Sequence, residues 1–192
     1  MSQIDDAALI YMDPKLIRDA TFMKVPHRVT TTKDDIYMIP GDVIAQNVTG
    51  DRRFKGLDPY NNYVVKIYKS NMHASAMEEY IRGSKLSNHG LAPNYYGVGI
   101  IVDDNTYNIL DGKARFLLVI DYEGIPLGEV LTKVSDGERE SYIERAKMLL
   151  EDCRTRGVIL KNDESWMSKN IVVNSDDELF VVDLDENFDK PN

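Results

Sequence analysis

A single cysteine, Cys153, stands in 192 residues, so no internal disulfide is available to the fold. It falls on the apolar stripe of a helical pattern, where burial is the expectation. The three histidines, at 27, 73 and 89, have no metal-ligand spacing and read as surface or packing residues. Basic residues are outnumbered, 23 against 32 acidic, and the resulting net charge of -9 repels nucleic acid and anionic lipid over most of the surface. No apolar run approaches membrane-spanning length, and the start, with Asp5 and Asp6 before Ala7 to Met12, has no secretory pattern. The expectation is a soluble protein of the cytoplasm, or one delivered into a host cytosol. Neither an internal repeat nor a low-complexity segment occurs.

What is present centres on Arg156 to Glu186, RGVILKNDESWMSKNIVVNSDDELFVVDLDE. Two apolar runs of strand type, Ile171 to Val173 and Leu179 to Val182, flank the turn-forming Asn174-Ser175-Asp176-Asp177. If the runs pair, Asn170 enters one strand and Asp183 leaves the other, which puts two oxygen-bearing side chains at one end of a hairpin. Hard divalent cations take oxygen ligands at such a place. Upstream, Glu138 to Thr155 is the clearest helix, with Tyr142, Ala146, Leu149, Leu150 and Cys153 at helical period and Gly157 ending it.

The earlier part reads as strands: Ile36 to Ile39, a turn at Pro40-Gly41-Asp42, Val43 to Val48, and Tyr63 to Tyr68. Two more are expected at Thr106 to Leu110 and Arg115 to Ile120, joined through the hairpin turn Asp111-Gly112. Lys66 lies between apolar strand residues. Its ammonium either meets phosphate or a carboxylate, or points to solvent from an edge strand. Ala76, Met77, Tyr80 and Ile81 form an apolar helical stripe with Glu78 and Glu79 at its border. Before all this, Asp13-Pro14 starts a helix carrying Leu16, Ile17, Ala20 and Met23.

In chain order these elements resemble the eukaryotic-type protein kinases and their small-molecule relatives, the choline and aminoglycoside kinases. Asn170 with the hairpin and Val182-Asp183-Leu184 resembles the metal-binding hairpin, and Asp-Leu-Asp is similar to the small-molecule branch. Val64-Val65-Lys66-Ile67 resembles the third-strand lysine element, Glu79 its helical partner, and Leu118 to Gly124 the segment between lobes. The loop with Gly50, Arg52, Arg53, Lys55 and Gly56 is either solvated or a source of charge in place of a glycine-rich flap, since no G-x-G-x-x-G occurs. Leu160 stands where the family has histidine. Asp163 precedes Asn170 by seven positions against the family's five.

The resemblance implies an α+β, two-lobe fold: a lead-in over 1–35, a first lobe over 36–122 with a five-stranded antiparallel sheet and one helix, and a reduced helical second lobe over 123–192. It implies ATP and magnesium as cofactors and a hydroxyl acceptor, protein or small molecule. Lys66 would contact the phosphates with Glu79 steadying it, while Ile120, Asp121 and Tyr122 would hold the adenine edge. Asn170 and Asp183 would hold metal and Asp163 would act as base, with Asn162 the competing occupant of that position. Lys161 and Lys169 are either solvated or near the transferred phosphate. With nine residues after Asp183, an activation segment and most peptide-docking helices are expected to be missing. A kinase-like binding module without catalysis is the other expectation.

Overall fold

The structure is a computed structural model that describes residues 10–12, 23–24, 34–49, 57–68, 73–101, 115–121 and 124–184. The chain divides into two compact units, Met1–Tyr80 with Tyr95–Tyr122, and Ile81–Asn94 with Glu123–Asn192.

The first unit is built on a mixed, mainly antiparallel sheet of seven strands among the described residues, where five were expected. The strands are β1 (Ile10–Met12), β2 (Met23–Lys24), β3 (Asp34–Pro40), β4 (Val48–Thr49), β5 (Asn62–Tyr68), β6 (Tyr95–Ile101) and β7 (Arg115–Asp121), in the order β2-β3-β5-β7-β6-β1-β4. Every residue of β5 from Tyr63 to Tyr68 is buried. A strand covered on both faces reads as a continuous apolar run, and Tyr-Val-Val-Lys-Ile-Tyr is one apart from its lysine. β5 lies between β3 and β7, with Ile36 opposite Lys66 on one side and Leu118 on the other. Lys66 is therefore on a central strand, which removes the edge-strand alternative.

Three expectations change here. Val43 to Val48 is not a strand: Gly41–Asn47 forms a short helix, α1, and only Val48–Thr49 is extended. The β-branched residues favour strand locally, but Ile44 is fully buried in a cluster with Ile39, Leu57, Tyr63 and Val119, and that packing overrides propensity. The turn expected at Pro40-Gly41-Asp42 is taken up by the end of β3 and the start of α1, and Gly41 is closely packed there. Its N–H donates to the Asn61 carbonyl at 2.9 Å, and a Cβ there would lie 2.2 Å from the Asp58 carbonyl oxygen. Finally, the antiparallel neighbour of β7 on its far side is β6, running from Tyr95, and a bulge between Tyr95 and Gly97 interrupts its register. Thr106 to Leu110, the turn Asp111-Gly112, residues 13–22 of the expected lead-in helix and the basic loop 50–56 lie outside the described residues; Met23, expected on that helix, is in β2.

Helix α2, His73–Ser87, forms as expected. Its buried stripe is Ala76, Glu79, Gly83 and Leu86, spaced three and four apart, while Ile81 is 59% exposed. The stripe is thus turned from the expected one, with Glu79 at its centre rather than its border.

The second unit carries α3 (Leu127–Leu131), α4 (Asp136–Thr155), α5 (Glu164–Asn170) and a three-stranded antiparallel sheet of β8 (Ile125–Pro126), β9 (Ile171–Val173) and β10 (Leu179–Val181). α4 opens with a capping box between Ser135 and Glu138. It closes on Gly157 at φ 72, with the Gly157 N–H donating to Arg154 and the Val158 N–H to Cys153, the hydrogen-bond pair of a Schellman motif. The two runs pair as expected, with Val181 opposite Ile171. Gly124 sits at φ 120 with its Cα against the Val173 carbonyl, where any Cβ would collide, so the chain enters β8 through a position only glycine fills.

Cys153 is buried on the inner stripe of α4, and burial pushes its thiol up to about 12, with Asp152 adding to the shift. The unfolded thiol ionises near 9, so the contribution is present in full below pH 9 and is lost as pH rises towards 12. We expect Cys153→Ala to cost about 1 to 2 kcal/mol at pH 7, and the gap to the parent protein, followed by urea melts, to narrow above pH 9. A gap independent of pH would contradict the assignment.

Candidate functional site

The first cluster lies in the sheet unit. Lys66 projects from central β5 and Glu79 from the buried face of α2, and Lys66 Nζ donates to Glu79 Oε2 at 2.7 Å with both side chains wholly buried. The Tyr68 hydroxyl donates to the same oxygen, and the Lys66 ammonium lies 5.6 Å from the centre of the Tyr68 ring. A buried charge pair persists only if its geometry is good and further polar contacts support it. Tyr68 supplies that support, and nothing in sequence spacing singled it out. Glu78, one residue earlier, is exposed.

At the end of β7, Ile120 is buried and Asp121 is half-buried. The Tyr96 hydroxyl donates to Asp121 Oδ1 at 2.9 Å, and the Tyr96 ring meets Tyr63 edge-on at 5.4 Å. Tyr63 in turn accepts the Asp58 N–H at 2.9 Å, and burial is the largest of the effects raising its phenol above the usual range. Tyr122 lies outside the described residues.

The second cluster lies in the other unit, at the mouth of the β9–β10 hairpin. The Val182 N–H donates to the Asn170 carbonyl at 2.8 Å, so Asn170 and Asp183 flank the same end of the ladder. Asp183 adopts φ 63, a left-handed conformation uncommon outside glycine, though asparagine and aspartate tolerate it best. Such a position persists when its surroundings hold it, and they do. Before it, the Val181 N–H donates to the Leu91 carbonyl at 3.0 Å; after it, Arg82 donates to the Leu184 carbonyl at 2.7 Å. Arg82 is a residue that sequence spacing did not reveal.

The interval between Asp163 and Asn170 is a helix rather than a stretched loop. Asp163 is the N-cap of α5: its Oδ1 accepts the Trp166 N–H at 2.9 Å, and Met167 is buried beneath. Its other oxygen, Oδ2, makes no hydrogen bond among the described residues. Asn162 and Asp163 are both exposed, as are Lys161 and Lys169.

The hairpin's far turn is tied to α4. The Tyr142 hydroxyl donates to Asp177 Oδ1 at 2.5 Å, and Arg145 donates to Asp177 Oδ2 at 2.8 Å and also to its carbonyl. The Tyr142 hydrogen bond, then Arg145, holds the Asp177 carboxyl below the usual range.

Asn170 and Asp183 offer an amide and a carboxylate oxygen. That donor set fits magnesium, which takes one or two protein oxygens and fills its remaining positions with phosphate and water. Among the described residues no group of three or more His, Cys, Asp or Glu side chains is gathered to hold a metal alone. No helix there is long and apolar enough to cross a membrane.

No protein-family model matches the sequence, and neither does any curated protein. Among solved structures the fold is similar to that of the Cydia pomonella granulovirus kinase PK-1, with a TM-score of 0.51 and 16% sequence identity over 83% of this chain. The chain spans about half the length of that kinase, 53% of it. The likeness is one of fold: mixed α+β with antiparallel sheets, kinase-like.

Removing one partner of a buried pair leaves an uncompensated charge. Glu79→Gln is expected to cost about 3–5 kcal/mol in a urea melt, and Lys66→Met/Glu79→Leu markedly less than the sum of its single variants. Additive losses would mean the two side chains do not interact. At the helix cap, Asp163→Ala should cost about 1 kcal/mol and Asp163→Asn far less; equal losses would show that Asp163 does not cap α5.

Proposed function

We propose that the protein is an ATP- and magnesium-dependent phosphotransferase of two-lobe, kinase-like architecture. The observation that carries this reading is the buried Lys66–Glu79 pair, in which Tyr68 shares the carboxylate. Phosphoryl transfer needs phosphates positioned, their charge neutralised and an acceptor hydroxyl oriented. Lys66, held by Glu79, contacts the phosphates. Ile120, Asp121 and Tyr122 take the adenine edge. Asp183 and Asn170 hold magnesium, which when bound neutralises charge on the transferring phosphate. The acceptor oxygen bonds to the γ-phosphorus, the bond from that phosphorus to the bridging oxygen breaks, ADP leaves, and the acceptor proton passes to Asp163. One oxygen of Asp163 caps α5 and the other is the acceptor for that proton. The partners are then a nucleotide and a hydroxylated acceptor, with neither nucleic acid nor membrane.

A second reading is a kinase-like nucleotide- or protein-binding module without catalysis. Two observations favour it: the turn at Gly41 is packed and hydrogen-bonded to Asn61, and one Asp163 oxygen is engaged in capping.

Millimolar ATP with magnesium should raise the melting temperature by a few degrees, roughly, because binding to the folded state alone stabilises it. Asp183→Ala should lose most of that shift and all transfer of radiolabel from ATP to protein or added acceptor. A shift without transfer selects the second reading; equal label in parent and variant defeats the first, and no shift defeats the first together with the nucleotide-binding form of the second.

A further inference from the structure

A groove of about 450 Å³ opens in the second unit between α4 and the segment that leads into α5. Its α4 wall is one helical stripe, Lys147, Leu150, Glu151 and Arg154, spaced three and four apart. Its other wall runs over Ile159 to Asp163 after the Gly157 turn. Leu150 and Leu160 are buried and form an apolar floor, while the rim is charged and exposed.

The sign of that rim runs against the rest of the molecule. The chain carries -9, yet on the α4 wall Lys147 and Arg154 set two cations against the single carboxylate of Glu151. Arg154 reaches Glu151 only at 3.7 Å and both are well exposed, a pair too weak to neutralise either strongly. Lys147 makes no ion pair with any described residue. An apolar floor with a few convergent polar groups, in a volume of this size, suits a small molecule.

We propose that this groove binds the phosphoryl acceptor, a small hydroxylated molecule that carries an anionic group, either a phosphate monoester or a carboxylate. The inference rests on the phosphotransfer reading, because Asp163 lines the groove and its Oδ2 accepts the hydroxyl proton there. Lys147 and Arg154 take the anionic group, the floor takes the carbon skeleton, and the hydroxyl is presented to Asp163. Specificity then comes from charge: a neutral polyol of the same size lacks the contact that orients it.

Glycerol 2-phosphate serves as probe, with glycerol as the neutral control and poly-glutamate as the macromolecular one, in a calorimetric titration at low salt. Binding of glycerol 2-phosphate should weaken at least about tenfold in Lys147→Glu/Arg154→Glu, less in Lys147→Gln/Arg154→Gln, and fall with added salt. Both variants are at exposed positions and should melt where the parent does. Binding that is equal in all three proteins, or equal for glycerol, overturns the proposal, and poly-glutamate binding far more tightly than the probe replaces it with a protein-docking surface. These outcomes are separate from the ATP experiment. Anion binding lost in the charge-reversed protein supports the groove even if label transfer fails, and label transfer with no anion preference leaves the phosphotransferase standing without this acceptor class.

Discussion

Two opposite charges without solvent, Lys66 and Glu79, impose the strictest condition on this structure. Water would solvate both well, and the low-dielectric interior returns that loss only when the pair is close and its remaining hydrogen-bonding capacity is met. The 2.7 Å contact meets the first part of that condition, and the Tyr68 hydroxyl on the same oxygen and the nearby Tyr68 ring contribute to the second. Apolar residues could fill the same volume and be at least as stable. On stability alone the pair therefore has no advantage over an apolar core, and the proposed phosphate contact is what would give it a use.

The hairpin obeys a different constraint. Its strands are three residues long, too short to stand alone, and its mouth includes a left-handed Asp183. Backbone contacts on both sides fix that conformation: Leu91 before it, Arg82 after it. The left-handed backbone thus falls on the residue to which the proposed function gives a metal-holding role.

How much of this was readable in advance depended on the range of the signal. The hairpin was readable because apolar triplets flank Asn174-Ser175-Asp176-Asp177, a purely local pattern. α4 was readable because twenty residues give the helical period room to repeat. α1 was not, because Val43, Ile44 and Val48 speak for strand and only contacts with Leu57 and Tyr63 decide for helix. β6 was hidden by Gly97 and Gly99, which weaken a strand pattern that pairing with β7 restores. α5, at seven residues, is too short for periodicity to speak, and its only local sign was an aspartate three residues before Trp166. In the candidate site, Glu79 as partner of Lys66 was implied by the resemblance to the kinases, whereas Tyr68 and Arg82 depend on distant segments meeting. No local pattern encodes that.

The clasp of Tyr142 and Arg145 on Asp177 bears on how the second unit opens. A ribbon of two triplets, pinned at its turn by a long helix and at its mouth by Leu91, has no route to fray by itself. Its amides should share the protection of α4 instead of exchanging as a surface loop would, making helix and ribbon one cooperative block.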